Sequence, residues 1–80
     1  MELYEDPKLS KYKSKLKKMR IRRGYTQKEL SEAADVNIKS IAAFEQDPKK
    51  LSVASTVTVY KLAETLNCEI EDIINKEDLL

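Results

Sequence analysis

Glycine occurs once in this chain of 80 residues, at Gly24, and proline occurs twice, at Pro7 and Pro48. So few turn-forming residues leave few sharp turns, which favours helices over a sandwich or barrel of short strands. The sequence therefore predicts an all-α fold. A chain of this length forms one domain and buries only about 60% of its unfolded surface, which leaves little room for a deep catalytic cleft.

The first two helices are marked by their start and stop signals. The first begins either at Asp6-Pro7, a cap followed by a favoured first residue, or later, near Ser14, and it ends at Gly24. The second begins at Thr26, which forms a capping box with Glu29. The residues predicted to face the core are Leu9, Tyr12, Leu16 and Met19 in the first helix and Leu30, Ala33 and Ala34 in the second.

A break at residues 34–37 precedes the third helix. Asn37 is a strong N-cap, and the helix runs through Gln46, because the residue before Pro48 avoids helical geometry. Residues 49–55 are predicted to form a loop. Residues 57–67 are predicted to be helical despite strand propensity at 56–60, and residues 69–75 form a short fifth helix. The inward side chains are Ile41, Phe44, Glu45, Val59, Leu62, Ala63, Leu66, Ile70, Ile73 and Ile74.

The charges are unevenly distributed although the formal net charge is only +1. Residues 8–23 hold nine basic side chains and no acid, whereas residues 64–80 hold six acids and one base. Such a division is typical of a protein with one nucleic-acid face, but a solvated helix surface explains it as well, and both interpretations remain open. The narrow apolar stripe of the first helix argues against a membrane-surface helix.

Several function classes lack their usual residues. The chain has no histidine, no glycine-rich phosphate loop and only one cysteine, Cys68, so general-base, zinc and nucleotide-binding chemistry are not expected. We expect no enzyme activity and no cofactor. Cys68 is interpreted as a small buried apolar residue, and a lone cysteine suits a reducing cytosol. No apolar run approaches the 18 residues of a membrane span, and the acidic start is not a secretory signal.

Two short helices joined by a short turn form a helix-turn-helix. The stretch LKKMRIRRGYTQKELSEAADVNIKSIAAFEQ resembles the Cro/repressor-type (XRE) helix-turn-helix domains of phage and bacterial regulators. The stretch KLAETLNCEIEDII is similar to the two closing helices of that family. The resemblance covers residues 14–75 and implies a compact lambda-repressor-like bundle of about five helices. Residues 1–13 would be an N-terminal extension or a helical continuation of the first helix, and residues 76–80 a tail.

The resemblance also implies roles for individual residues, with the helix after Asn37 placed in the major groove. Asn37 could instead be fully occupied as a helix cap. Arg20 and Glu45 would form a buried structural ion pair. The implied base contacts are Asn37, Ile38, Lys39 and Ala43, and the implied phosphate contacts are Gln27, Lys28, Ser40, Lys49 and Lys50. Two positions depart from the family pattern, because Asp35 and Asp47 stand where glycine is common.

The resemblance implies a transcriptional repressor that binds double-stranded DNA sequence-specifically. Such a protein would act in the cytoplasm and be encoded by a bacterium or a phage. Such domains bind as symmetric homodimers, with half-sites roughly 34 Å apart. Helix five and the tail, with Ile70, Ile73, Ile74, Leu79 and Leu80, provide one candidate dimer contact, although the isoleucines could equally be core residues and the tail frayed. The alternative function is a protein-binding module, such as the antitoxin of a toxin–antitoxin pair, which would use the apolar surface around Ile38 and Ala42. No membrane partner is expected.

Overall fold

The computed structural model describes residues 7–79 of the chain. Within this range five α-helices and two 3-10 turns follow one another without a strand, which confirms the prediction of an all-α fold. The helices are α1 (Lys15–Arg22), α2 (Gln27–Ala34), α3 (Ile38–Gln46), α4 (Lys49–Ser52) and α5 (Thr56–Thr65), and the 3-10 turns are Ile70–Asp72 and Lys76–Leu79.

Helix α1 begins at the later of its two predicted starts. The buried Ser14 side chain caps the helix by accepting a hydrogen bond from the Lys17 amide, and residues 12–14 lie outside any helix. Residues 7–11 form turns, so this part of the N-terminal extension is not a helical continuation of α1. The predicted cap at Asp6 lies outside the described residues. Gly24, with φ of +81°, ends α1 as predicted.

The prediction of a loop at residues 49–55 is wrong, because Lys49–Ser52 form the one-turn helix α4. Pro48 precedes this turn with φ of −57°, a value already suited to a helix, and Leu51 is buried in the core.

The predicted fifth helix at 69–75 is also wrong in type, since only the 3-10 turn Ile70–Asp72 forms there. Asn75 lies in neither 3-10 turn, and its side chain is hydrogen-bonded back to the start of α1.

Helix α5 confirms the helical prediction for residues 57–67. The Ser55 side chain accepts a hydrogen bond from the Thr58 amide, which caps the helix and overrides the strand propensity of residues 56–60. Asn67, with φ of +53°, stands where the predicted stop lies. Leu66 and Asn67 follow the last residue of α5, and Arg23 donates hydrogen bonds to the carbonyl groups of both.

The core lies between α1, α2, α3 and α5. Most predicted inward positions are buried, but Ala33 is exposed, because α2 buries the line of Leu30 and Ala34 instead. Phe44 is half-buried against the core. The buried apolar cluster comprises Leu16, Met19, Leu30, Ala34, Val36, Ile41, Leu51, Val59, Leu62, Ala63, Leu66, Ile73 and Ile74.

The division of charge along the sequence is not a division in space. Helix α1 packs against the acidic 3-10 turn 70–72, and the Lys15 ammonium donates a hydrogen bond to the Glu71 carbonyl. The Lys17 ammonium lies over the ring of Tyr12, 4.3 Å from its centroid. Several bases of residues 8–23 therefore serve internal contacts, and the basic run is not by itself a nucleic-acid face.

The capping box of α2 gives a first testable prediction. The Thr26 side chain accepts from the Glu29 amide, and the Thr26 amide donates to the Glu29 carboxylate, which lowers the pKa of Glu29. We expect Thr26→Ala to reduce the free energy of unfolding by about 1 kcal/mol at pH 7, measured by urea denaturation. Since the folded-state pKa is lowered, the stability due to Glu29 should be lost as the pH falls through that pKa.

The matched control is Ser52→Ala, which removes only an exposed bond to the Lys49 carbonyl and should leave stability unchanged. A loss of stability no larger for Thr26→Ala than for Ser52→Ala would contradict the assigned cap.

Candidate nucleic-acid interface

Helices α2 and α3 pack against each other across a turn at residues 35–37. Asp35, one of the two positions at which glycine is common in the Cro/repressor-type family, takes the left-handed conformation, with φ of 55°. The Ser31 hydroxyl donates to the Val36 carbonyl at 2.6 Å, and the Ser31 carbonyl accepts from the Val36 amide at 3.2 Å. Because Val36 is also buried, these contacts fix the angle between the two helices.

Helix α3 has one face in the core and one in solvent. Ile41 is completely buried, whereas Ile38 is 41% exposed and Lys39 is exposed beside it. The other predicted contacts, Ser40 and Ala43, are half-buried. Ala42 is exposed but was not among the predicted base contacts, although its position four residues after Ile38 places it on the same line of the helix. The outer line of α3 is therefore formed by Ile38 and Ala42, with Lys39 next to it.

Asn37 caps this helix. Its Oδ1 accepts a hydrogen bond of 2.7 Å from the Lys39 amide, and the residue is exposed. The bond uses only the oxygen of the side-chain amide, so the Nδ2 group keeps its capacity to donate. The cap and a base contact are thus compatible in one side chain.

Arg20 and Glu45 join α1 to α3 by a bidentate ion pair. Arg20 Nε donates to Glu45 Oε2 at 2.7 Å and Nη2 donates to Oε1 at 3.0 Å. The two side chains are only 11% and 4% exposed. Arg20 Nη1 also donates to the Tyr25 carbonyl at 2.9 Å, so the network reaches the segment that leads into α2.

Gln27, the first residue of α2, joins the same network. Its Nε2 donates a hydrogen bond of 3.1 Å to Glu45 Oε1. Glu45 thereby orients both the α1 arginine and the side chain at the start of α2. The sequence predicted the ion pair and Gln27 as separate features, and their separation of 18 positions gave no signal of the contact between Gln27 and Glu45.

The remaining predicted phosphate contacts are lysines in two places. Lys28 is exposed in the first turn of α2, and Lys49 and Lys50 are exposed on α4. A groove of about 340 Å³ separates α4 from the 3-10 turn 76–79, and Glu77 and Asp78 line it together with Lys49 and Lys50. These acids partly offset the positive potential of α4, a juxtaposition that the linear sequence did not indicate.

Outside this surface, the described residues hold one thiol and no cluster of metal ligands. Within residues 7–79 no cluster of three or more histidine, cysteine, aspartate or glutamate side chains could hold a metal ion. Burial, followed by the charge of Asp72, raises the pKa of the half-buried Cys68 thiol, which makes it a poorer nucleophile. In the same part of the chain, no helix has the length and apolar character that crossing a bilayer requires.

Two short helices held at a fixed angle, the second with an uncovered outer face, define a helix-turn-helix protein. The family model described as "Helix-turn-helix domain" matches residues 14–79, and the chain belongs to this family. No curated protein and no solved structure gives a significant match to the chain. The helix-turn-helix is a DNA-binding motif, whose second helix enters the major groove.

Proposed function

We propose that this protein is a Cro/repressor-type transcriptional regulator, a repressor that binds double-stranded DNA sequence-specifically in the cytoplasm. One observation carries the proposal: α3 is anchored by the fully buried Ile41, while Ile38, which is 41% exposed, and the exposed Lys39 and Ala42 face solvent on its outer side. A major groove about 12 Å wide accepts such a helix.

The proposed roles divide into base and phosphate contacts. Lys39 donates to the N7 and O6 of a guanine, and Asn37, Ile38 and Ala43 contact neighbouring base edges. Phosphates are bound at the start of α2 and along α4, where exposed ammonium groups and the free amides of a helix start are available. The residues assigned to phosphates are Gln27, Lys28, Ser40, Lys49 and Lys50.

We further propose a homodimer, with a contact that differs from the one predicted. Ile73 and Ile74 belong to the core and Ile70 packs against it, so these isoleucines do not offer a free surface. Of the two tail residues, Leu79 is 53% exposed and Leu80 lies outside the described residues. Val57 and Tyr60 are instead exposed by 63% and 56%, and their spacing of three residues places them on one face of α5. Val53, in the turn after α4, is 84% exposed. Three side chains are few beside the roughly 1,200 Å² of a stable interface, so the second copy would join on DNA.

The test is a titration of labelled random duplex DNA by fluorescence anisotropy at 50 and 200 mM salt, followed by selection of binding sites from random DNA. We expect tight binding that weakens on the order of 10³-fold or more between the two salt concentrations if six or more phosphates are contacted. Selected sites should show two symmetric half-sites roughly 34 Å apart. Absence of binding at low salt would overturn the proposal and favour a protein-binding module such as an antitoxin. The observation that supports this alternative is the exposed apolar pair Ile38 and Ala42.

Lys39→Ala should change which sequences are bound. We expect the mutant to lose about 1–3 kcal/mol of discrimination at one base pair, because a lysine that donates to guanine in the major groove reads that pair. The measurement compares the dissociation constants for the selected site and for its single-base variants. Lys76→Ala, which removes an exposed lysine from the second 3-10 turn, is the matched control and should leave this discrimination intact. An unchanged preference in the Lys39 variant would remove this residue from the readout.

Gln27→Ala should weaken binding to every sequence by a similar factor, since a phosphate contact carries no sequence information. The slope of log affinity against log salt should stay unchanged because glutamine is uncharged. Lys50→Ala, by contrast, should reduce that slope by about one. A loss of affinity confined to particular sequences in the Gln27 variant would contradict its phosphate role.

A further inference from the structure

Ile38 is the only large apolar side chain exposed on α3, and it is the first residue of that helix. The N-terminal residues of a recognition helix are the ones that meet base edges. If α3 enters the major groove as proposed, the side chain that meets the bases at its start is therefore a branched hydrocarbon with no hydrogen-bonding atoms. Ala42, four residues further on, continues the line without adding a polar atom.

We propose that Ile38 recognises the C5 methyl group of a thymine, so that each half-site contains a thymine read by its methyl group and not by its hydrogen-bonding edge. This inference rests on the proposed DNA-binding function. In the major groove thymine presents its C5 methyl group, cytosine carries only a hydrogen at that position, and guanine and adenine present the acceptor N7. An isoleucine packed over a purine would remove N7 from water without offering a partner, and over cytosine it would lose the contact with the methyl group.

The fold holds Ile38 ready for this contact. Asn37 on one side caps the helix, and Ile41, three residues on, is fixed in the core. A β-branched side chain in a helix occupies one preferred χ1 rotamer, so little rotamer freedom is lost when the methyl group is bound. Lys39, the one exposed charge beside Ile38, is left to supply the hydrogen bonds of an adjacent base pair.

The experiment replaces each thymine of the selected half-site, one at a time, by uracil, which removes only the C5 methyl group. Dissociation constants are measured at one salt concentration for the unmodified protein, for Ile38→Ala and for Ile21→Ala. Ile21 is half-buried in α1, has no role in the proposed interface and serves as the matched isoleucine control. Circular dichroism of each variant establishes that it is folded.

We expect one uracil position to weaken binding of the unmodified protein about fourfold, the effect of one buried methyl-sized group. The same replacement should have almost no effect on Ile38→Ala, while Ile21→Ala keeps the full loss. If every uracil duplex binds as tightly as the thymine duplex, or if the loss is equal in Ile38→Ala, methyl recognition by Ile38 is overturned while the proposed DNA-binding function stands. If no duplex of any sequence is bound, both proposals fail together.

Discussion

Glu45→Ala is expected to lower the free energy of unfolding by about 3–5 kcal/mol, because it leaves the buried guanidinium of Arg20 without its counter-ion. Both Arg20 hydrogen bonds to the carboxylate are lost, at 2.7 and 3.0 Å, and the Gln27 amide loses its acceptor. The positive charge of Arg20 must then remain buried without a counter-ion, or the end of α1 must move toward solvent. Urea denaturation followed by circular dichroism measures the loss.

An exposed ion pair in the same chain provides the control. Lys61 and Asp35 approach to 3.6 Å, but their side chains are 40% and 97% exposed. Water screens such a pair, so Lys61→Ala should change stability by less than about 1 kcal/mol. A loss of similar size for Glu45→Ala would show that the buried pair is not the structural element assigned here.

The double variant Arg20→Met with Glu45→Leu separates the charge from the packing. Replacing a buried ion pair by apolar side chains of similar volume is often neutral, since neither charge is then left unpaired. We expect the double variant to be clearly more stable than Glu45→Ala. It should not recover fully, because the Tyr25 carbonyl also loses the hydrogen bond from Arg20.

Helix boundaries set by neighbouring residues could be predicted from the sequence. Thr26, Asn37 and Gly24 act within three residues of the helix end that they cap, so their chemistry is visible in a short stretch. The same holds for the outward direction of Ile38 and Lys39, which follows from the helical period once the start at Asn37 is known.

Features set by residues far apart in the sequence could not be predicted. The sequence left two starts open for α1, and the buried Asn75, 60 residues from Lys15, contributes to the start at Ser14. The groove between α4 and the acidic turn 76–79 likewise depends on how a helix in the middle of the chain packs against a turn more than 20 residues later. Local propensity had no means of showing that Lys49–Ser52 form a helical turn, because burial of Leu51 in the shared core supports it.

Asn75→Ala is expected to lower the free energy of unfolding by about 2–4 kcal/mol, since it leaves two backbone groups near the start of α1 without partners. Asn75 is only 7% exposed. Its Oδ1 accepts from the Lys15 amide at 3.0 Å, and its Nδ2 donates to the Lys13 carbonyl at 2.8 Å. The side chain thus caps a helix that lies 60 residues earlier in the chain, and thermal or urea unfolding measures its contribution.

Two further asparagine variants make this prediction specific. Asn37→Ala removes an exposed cap with one hydrogen bond to the Lys39 amide, and it should reduce stability by only about 1 kcal/mol. Asn75→Asp keeps an acceptor for the Lys15 amide but replaces the donor to Lys13 by a carboxylate oxygen facing a carbonyl. Because that carboxylate would be buried against the Lys13 carbonyl and Glu77 Oε1, two groups that cannot donate to it, Asn75→Asp should be at least as destabilised as Asn75→Ala at pH 7. Equal losses for the Asn37 and Asn75 alanine variants would mean that the contact between the two chain ends adds nothing beyond an ordinary helix cap.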